Sequence, residues 1–268
     1  MGRCNRVSAT RVRTLFLSDV HLGFKRSRAG DLIDFLATVD AETIVLAGDI
    51  VDSLSLAQRF FWPAAHARVV QALLAKQRAG ARLLYIPGNH DADRAPFAAM
   101  MQGAIEVHRE WVHYTARGER LLVVHGDQFD GQSEVAAWLH WLGETIYDFS
   151  VVLNGYLNDA RRLTRLSYWP LAERLKLAVS TSARFIERFE QAALAHAHAR
   201  GFDGIVCGHI HRANLRRVGA SIYCNTGDWV ESCSALIEEA SGQLRLWRLA
   251  DAGRSAWPRA AALLADAA

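Results

Sequence analysis

Five short apolar runs in this chain each end in side chains that bind metals or carry protons. LFLS leads into Asp19 and His21, IVLA into Asp49, LLYIPG into Asn89 and His90, LLVV into His125, and GIVCG into His209 and His211. Brief apolar runs bounded by glycine and polar residues read as buried strands. In α/β sheets the crevice outside the carboxyl ends of the strands is where ligands bind. Taken singly each cluster is weak, because aspartate and histidine also serve strand ends as turn formers. Five together demand a fold that gathers distant strand ends at one sheet edge.

The runs are spaced for such a fold. From Arg13 to Pro87 strand patterns (TLFLS, TIVLA, LLYIP) alternate with helical ones, about Ala29 to Val39 and one long helix from about Leu56 to Ala79. Strands separated by helices imply right-handed crossovers and a parallel core. AIEVH, WVHYT and LLVVHGDQFD continue the strand pattern, and a second strand-rich block (GIVCG, NLRRV, SIYCN, SALIEE, QLRLWRL) follows Gly204, with the short turns of hairpins. We expect two packed sheets, the first mainly parallel and the second richer in antiparallel pairs. The expected organisation is a mobile N-terminal arm at 1–12, a core at 13–128 and 203–250, a helical cap inserted at 129–202, and a tail at 251–268.

A chain of 268 residues, 51% hydrophobic, is long enough for one substantial core. A net charge of +3 is too small to mark a nucleic-acid binder, which concentrates lysine and arginine on one face. Cys4, Cys207, Cys224 and Cys233 form no CxxC pair, and a reducing cytoplasm is the expected compartment. The basic start MGRCNRVSATRVR lacks the apolar stretch and cleavage site of a secretory leader.

Taken in order, Asp19-x-His21, Gly48-Asp49, Gly88-Asn89-His90-Asp91, His125-Gly126-Asp127 and Gly208-His209-x-His211 resemble the signature of the calcineurin-like metallophosphoesterases. The resemblance implies a four-layer α/β/β/α sandwich with two metals at the sheet edge, one held by Asp19, His21, Asp49 and His211, the other by Asp49, Asn89, His125 and His209. A carboxylate between two divalent ions, here Asp49, lowers their repulsion and fixes their spacing. Imidazole, carboxylate and amide oxygen without thiolate suit manganese first, or iron, cobalt and zinc, better than calcium. Such a pair lowers the pKa of a bridging water from 15.7 toward roughly 7 and so supplies hydroxide for in-line attack on phosphorus. By its place in GNHD, His90 resembles the family's catalytic histidine, which contacts the phosphate or protonates the leaving oxygen. Asp52 matches the carboxylate that orients and charges that histidine in related phosphatases, with a helix N-cap or turn as the lesser alternative. Asp91 and Asp127 read as supporting or turn residues, and His66, His108, His113, His140, His196 and His198 as surface or satisfied core positions.

LSDVHLG, HGDQFD and the helical insertion before GHIHRA are similar to the UDP-2,3-diacylglucosamine diphosphatase branch, which cuts a pyrophosphate in lipid A synthesis to give UMP and a lipid monophosphate. That branch commonly reads Gly-Asn-Arg-Asp where this chain has Gly88-Asn89-His90-Asp91. The insertion carries Trp138 and Trp141 as a candidate apolar wall, and Arg161 and Arg165 as candidate phosphate contacts; a helical core of its own is an equal use of the aromatics. A phosphorylated small molecule or lipid nucleotide is the expected substrate, with peripheral contact to the inner membrane if it is lipidic and no nucleic-acid partner. A phosphodiesterase or nuclease using the same site is the alternative, and a metal-free binding scaffold is disfavoured because every ligand position and His90 are present.

Overall fold

The structure is a computed structural model that describes residues 9–91, 97, 99, 101, 103–130 and 171–251, with side chains of 171–183 left aside. It is mixed α/β with two mixed sheets. The strands are β1 (Thr10–Leu17), β2 (Val39–Leu46), β3 (Arg82–Tyr85), β4 (Glu106–Val107), β5 (Trp111–Tyr114), β6 (Arg120–Val123), β7 (Gly204–Cys207), β8 (Asn214–Val218), β9 (Ser221–Asn225), β10 (Ser234–Glu238) and β11 (Leu244–Arg248). The first sheet runs β11-β10-β1-β2-β3-β4 and the second β5-β6-β7-β9-β8. In the first, β1, β2, β3 and β4 are parallel neighbours and β10 and β11 join antiparallel; in the second, the parallel trio β6, β7, β9 is flanked by antiparallel β5 and β8.

β1 is central, and its last four residues are buried on both faces, which is why it reads as an unbroken apolar run. Alternation decides where each side chain goes. Leu15 and Leu17 point toward a core shared with the helices α1 (Ala29–Thr38) and α3 (Ala64–Arg78). Phe16, with Val45 and Leu84 from its neighbours, points the other way against Leu121, Val123, Val206 and Cys224 of the second sheet. Helix α1 offers Ala29, Leu32, Phe35 and Leu36, and α3 offers His66, Val69, Val70 and Leu73, each a single apolar stripe at helical spacing. Each such Leu or Val contributes roughly 1.5–3 kcal/mol by leaving water.

Three expectations need correction. The single helix from Leu56 to Ala79 is two, α2 (Ser53–Gln58) and α3, because Pro63 has no N–H for the ladder and forces Trp62 out of helical geometry; Pro63 then serves as the N-cap of α3. The arm expected at 1–12 does not include Thr10, Arg11 and Val12, which pair in register with Val39, Asp40 and Ala41. The last hairpin, β10–β11, belongs to the first sheet beside β1 rather than to the second.

Contacts divide the chain into two compact units, Met1–Asp127 with His196–Ala268, and Gln128–Ala195. Within the second, helix α4 (Leu171–Ala199) carries Phe189, which meets Phe129 edge-to-face with centroids 5.8 Å apart. Trp138, Trp141, Arg161 and Arg165 lie outside the described residues. Among those described, no helix is long and apolar enough to cross a membrane.

Candidate active site

At the carboxyl ends of β1, β2 and β7 the backbone turns sharply. Asp19, His21, Asp49, His209 and His211 all have φ between +50° and +73°, and Cys233 is the one other non-glycine residue described with positive φ. Left-handed backbone costs about 1–3 kcal/mol at each such residue and persists where the surroundings enforce it, above all at functional sites. Two turns lock together: Asp19 N–H donates to the Gly48 carbonyl and His21 N–H to the Asp49 carbonyl, both at 2.9 Å. Close approach also explains the glycines. A Cβ on Gly88 would lie 2.3 Å from Asp49 Oδ1, and one on Gly208 2.3 Å from Asp19 Oδ2.

The turns bring the expected donors together. Ligand atoms of Asp19, His21 and His211 lie within 4.8 Å of one another, and so do those of Asp49, His125 and His209. Asp49 Oδ2 stands 3.3 Å from His125 Nε2 and 4.0 Å from His21 Nε2, so one oxygen faces both sets. Asn89 Oδ1 is 3.2 Å from His125 Nε2. His90 joins His21 and Asp49 in a third group within the same reach, closer to the donors than its expected purely catalytic place required.

Supporting contacts aim the rings. His125 Nδ1 lies 3.0 Å from the Ala47 carbonyl, an acceptor only, so the ring donates there and turns Nε2 to the cluster. Asp52 divides its carboxylate: Oδ2 is 3.3 Å from His21 Nδ1, while Oδ1 is 3.3 Å from His90 Nδ1 and accepts the Ser55 N–H at 2.8 Å. It therefore caps α2 and holds two histidines at once. Asp91 accepts from the Ile50, Val51 and Gly88 N–H groups and so supports the loops, as expected, and Asp127 is exposed.

The donor set fits divalent cations. Asp19 Oδ1 is buried without a hydrogen-bond partner, 3.2 Å from His211 Nε2, and His211 Nδ1 is also buried and unpartnered. His21 Nε2 and His211 Nε2 approach to 3.3 Å, a contact that requires one of them to carry a proton or a cation to take both lone pairs. Burial alone would raise the Asp19 carboxyl, yet His211 and His125 hold it down at about 2. Asp49 is held far below the carboxylate range against the same burial by His125 and His21, and Asp52 by its bonds to His21, His90 and Ser55. Burial would lower the imidazoles, but Asp49 pushes His125 up to about 10 and Asp19 pushes His211 up to about 9. The carboxylates thus call for positive charge at this rim.

Sequence reading missed the residues behind Asp19. Ser18 and Thr226 hydroxyls meet at 2.5 Å, Ser18 also bonds Asp19 Oδ2, and the buried Asp228 adds negative charge near His211. The available signal was a sixth strand, β9, ending in the polar Asn225-Thr226-Gly227-Asp228.

No curated protein matches the chain. Among solved structures it is similar to an archaeal phosphodiesterase (13% identity, 88% of this chain and 99% of that one, TM-score 0.47). It is also similar to a single mutant of Vps29 from Entamoeba histolytica (11%, 88% and 97%, 0.44) and to phosphopantetheinyl hydrolase from Mycobacterium tuberculosis (15%, 83% and 91%, 0.37). The calcineurin-like phosphoesterase family model matches residues 12–213. A match running from β1 to just past His211, and so taking in every donor described above, establishes that the chain belongs to the calcineurin-like phosphoesterase family.

Proposed function

We propose that this hydrolase of phosphoester bonds holds two divalent cations, manganese first among the candidates, one on Asp19, His21 and His211 and the other on Asn89, His125 and His209, with Asp49 shared. The observation that carries this reading is Asp49 Oδ2 facing a histidine of each set, 3.3 Å and 4.0 Å away. When bound, the cations supply Lewis acidity toward phosphate oxygens and activation of water.

The chain's own residues do the rest. His90 has a side chain one-third exposed, so substrate can reach it, with Nδ1 turned to Asp52 and Nε2 left for a phosphate or leaving oxygen. Burial opposes its protonation, while the Asp52 contact and the nearby Asp49 favour it, and a proton on this ring would serve the departing group. Asp52 holds the ring in that orientation.

The substrate we favour is UDP-2,3-diacylglucosamine, cleaved at its diphosphate to UMP and a lipid monophosphate, with Trp138 and Trp141 as candidate acyl-chain contacts and Arg161 and Arg165 as candidate phosphate contacts. Motif resemblance supports this, and a lipidic sugar nucleotide needs apolar wall and cations side by side. It implies peripheral contact with the inner leaflet from the cytoplasm. His90 in place of the branch's arginine favours, as second reading, a phosphodiesterase with another small-molecule or nucleic-acid substrate. Turnover on UDP-2,3-diacylglucosamine beside bis(p-nitrophenyl) phosphate, a monoester and DNA ends, in manganese, decides between them. UMP release is expected; hydrolysis of the generic diester with an untouched lipid nucleotide would select the second reading.

A further inference from the structure

The free oxygen of Asp19 owes its orientation to Ser18 beside it and, through Ser18, to Thr226 beyond the matched region. Ser18 Oγ touches Asp19 Oδ2, lies 2.5 Å from Thr226 Oγ1, and is 3.0 Å from the Gly227 carbonyl. A hydroxyl has one hydrogen to give. The carboxylate and the carbonyl both only accept, and bonds to a charged acceptor are roughly twice as strong, so the Ser18 hydrogen goes to Asp19. The contact with Thr226 then needs the threonine's hydrogen, directed at Ser18 rather than at the Cys207 carbonyl 3.4 Å away. Asp19 Oδ2 takes a second donor, the His209 N–H at 3.0 Å. One oxygen is saturated, and Oδ1 faces only imidazole, His211 Nε2 at 3.2 Å and His21 Nε2 at 3.9 Å, with no well-aligned hydrogen bond.

Thr226 is itself clamped. Its N–H donates to the Cys207 carbonyl, its carbonyl accepts from Ser234 Oγ at 2.8 Å, and the Asn225 amide reaches the Gly208 carbonyl at 2.5 Å. Ser18 and Thr226 are buried. If this position needed only volume, valine would fill it without a polar group to satisfy.

Resting on the dinuclear reading above, we propose that Thr226 and Ser18 form a hydroxyl relay that pins Asp19 Oδ2 and presents Oδ1 to a cation, making both positioning residues chiefly for the Asp19–His21–His211 set. The carboxylate contacts of Asp49 involve the His90 N–H and the neighbouring imidazoles, not these hydroxyls, and the relay meets the other set only through the His209 backbone N–H on Oδ2.

The test is calorimetric titration of Mn²⁺ into metal-stripped wild type, Thr226→Val and Thr226→Ser, with melting curves of the metal-free proteins. Wild type should take up two ions. Thr226→Val, which keeps the shape and removes the hydroxyl, should lose about 10- to 100-fold affinity for one ion and hold the other within about threefold, while Thr226→Ser matches wild type at both. Unchanged binding in Thr226→Val, equal weakening of both ions, or equal loss in the Val and Ser variants overturns the relay and leaves the dinuclear reading standing. Wild type that takes up no cation sinks both, a separate and recognisable result. Should Thr226→Val fail to fold, Ser18→Ala is read by the same criteria.

Discussion

Asp19 at the site rim and Glu238 on β10 are both carboxylates buried against histidine, and the protein treats them in opposite ways. Glu238 is saturated: Oε1 accepts from Arg13 at 2.6 Å and the Ala116 N–H at 2.7 Å, and Oε2 from Thr14 at 3.0 Å, with His113 Nε2 2.8 Å away. It sits in regular strand, in register with Thr14. Asp19 sits in left-handed backbone with one oxygen bare. A saturated buried network joins elements, whereas an unsaturated one in strained backbone is a place prepared for a ligand.

The sharpest way to break this contrast is Asp49→Asn. Asparagine keeps an oxygen for the His90 N–H but removes the shared charge, so uptake of both cations should fall, and turnover by more than the roughly 100-fold that loss of a supporting group costs. Full metal content with unchanged turnover would refute its role. Glu238→Gln should do the reverse. Weakening the charge-assisted bonds to a half-open Arg13 and to His113 should lower unfolding free energy by about 1.5–3 kcal/mol in denaturant titrations, with cation affinity untouched; a loss of metal instead would erase the distinction. A smaller effect, about 10²-fold in turnover, is expected of His90→Ala with both ions still bound. Because His90 also lies within ligand reach of His21 and Asp49, metal analysis of that variant separates proton donor from ligand.

Acid gives the mildest test. Burial would raise the Glu238 carboxyl, but His113, the Ala116 N–H and Arg13 hold it at about 2 against an ordinary 4.5. Its stabilising share is therefore fully present above about pH 4.5 and is lost as pH falls through about 2. Unfolding free energies measured across that window should fall more steeply in wild type than in Glu238→Gln.

What could be read in advance divides along similar lines. The rim donors were legible because each follows its own strand immediately, so local pattern and position coincide, and every expected ligand among the described residues arrives at one edge. Ser18 and Thr226 were not, since a hydroxyl's role here arises from a contact across 208 positions. The Glu238–His113 pair, 125 positions apart, left no local mark either. The division of the long helix was within reach, because Pro63 stood in the sequence. The placement of β10 and β11 was not, since apolar alternation says which face of a strand is buried but not which neighbour it finds.

One consequence follows from β10 lying against β1. As the polypeptide leaves the ribosome, Asp19 and His21 emerge long before His211, Thr226 and the strand that completes the flank of β1. Ordering of the rim must wait for that distant return, a slow, non-local step. Truncated or stalled products should therefore accumulate as inert protein, and the ability to cut phosphoesters should switch on only once synthesis has passed β10.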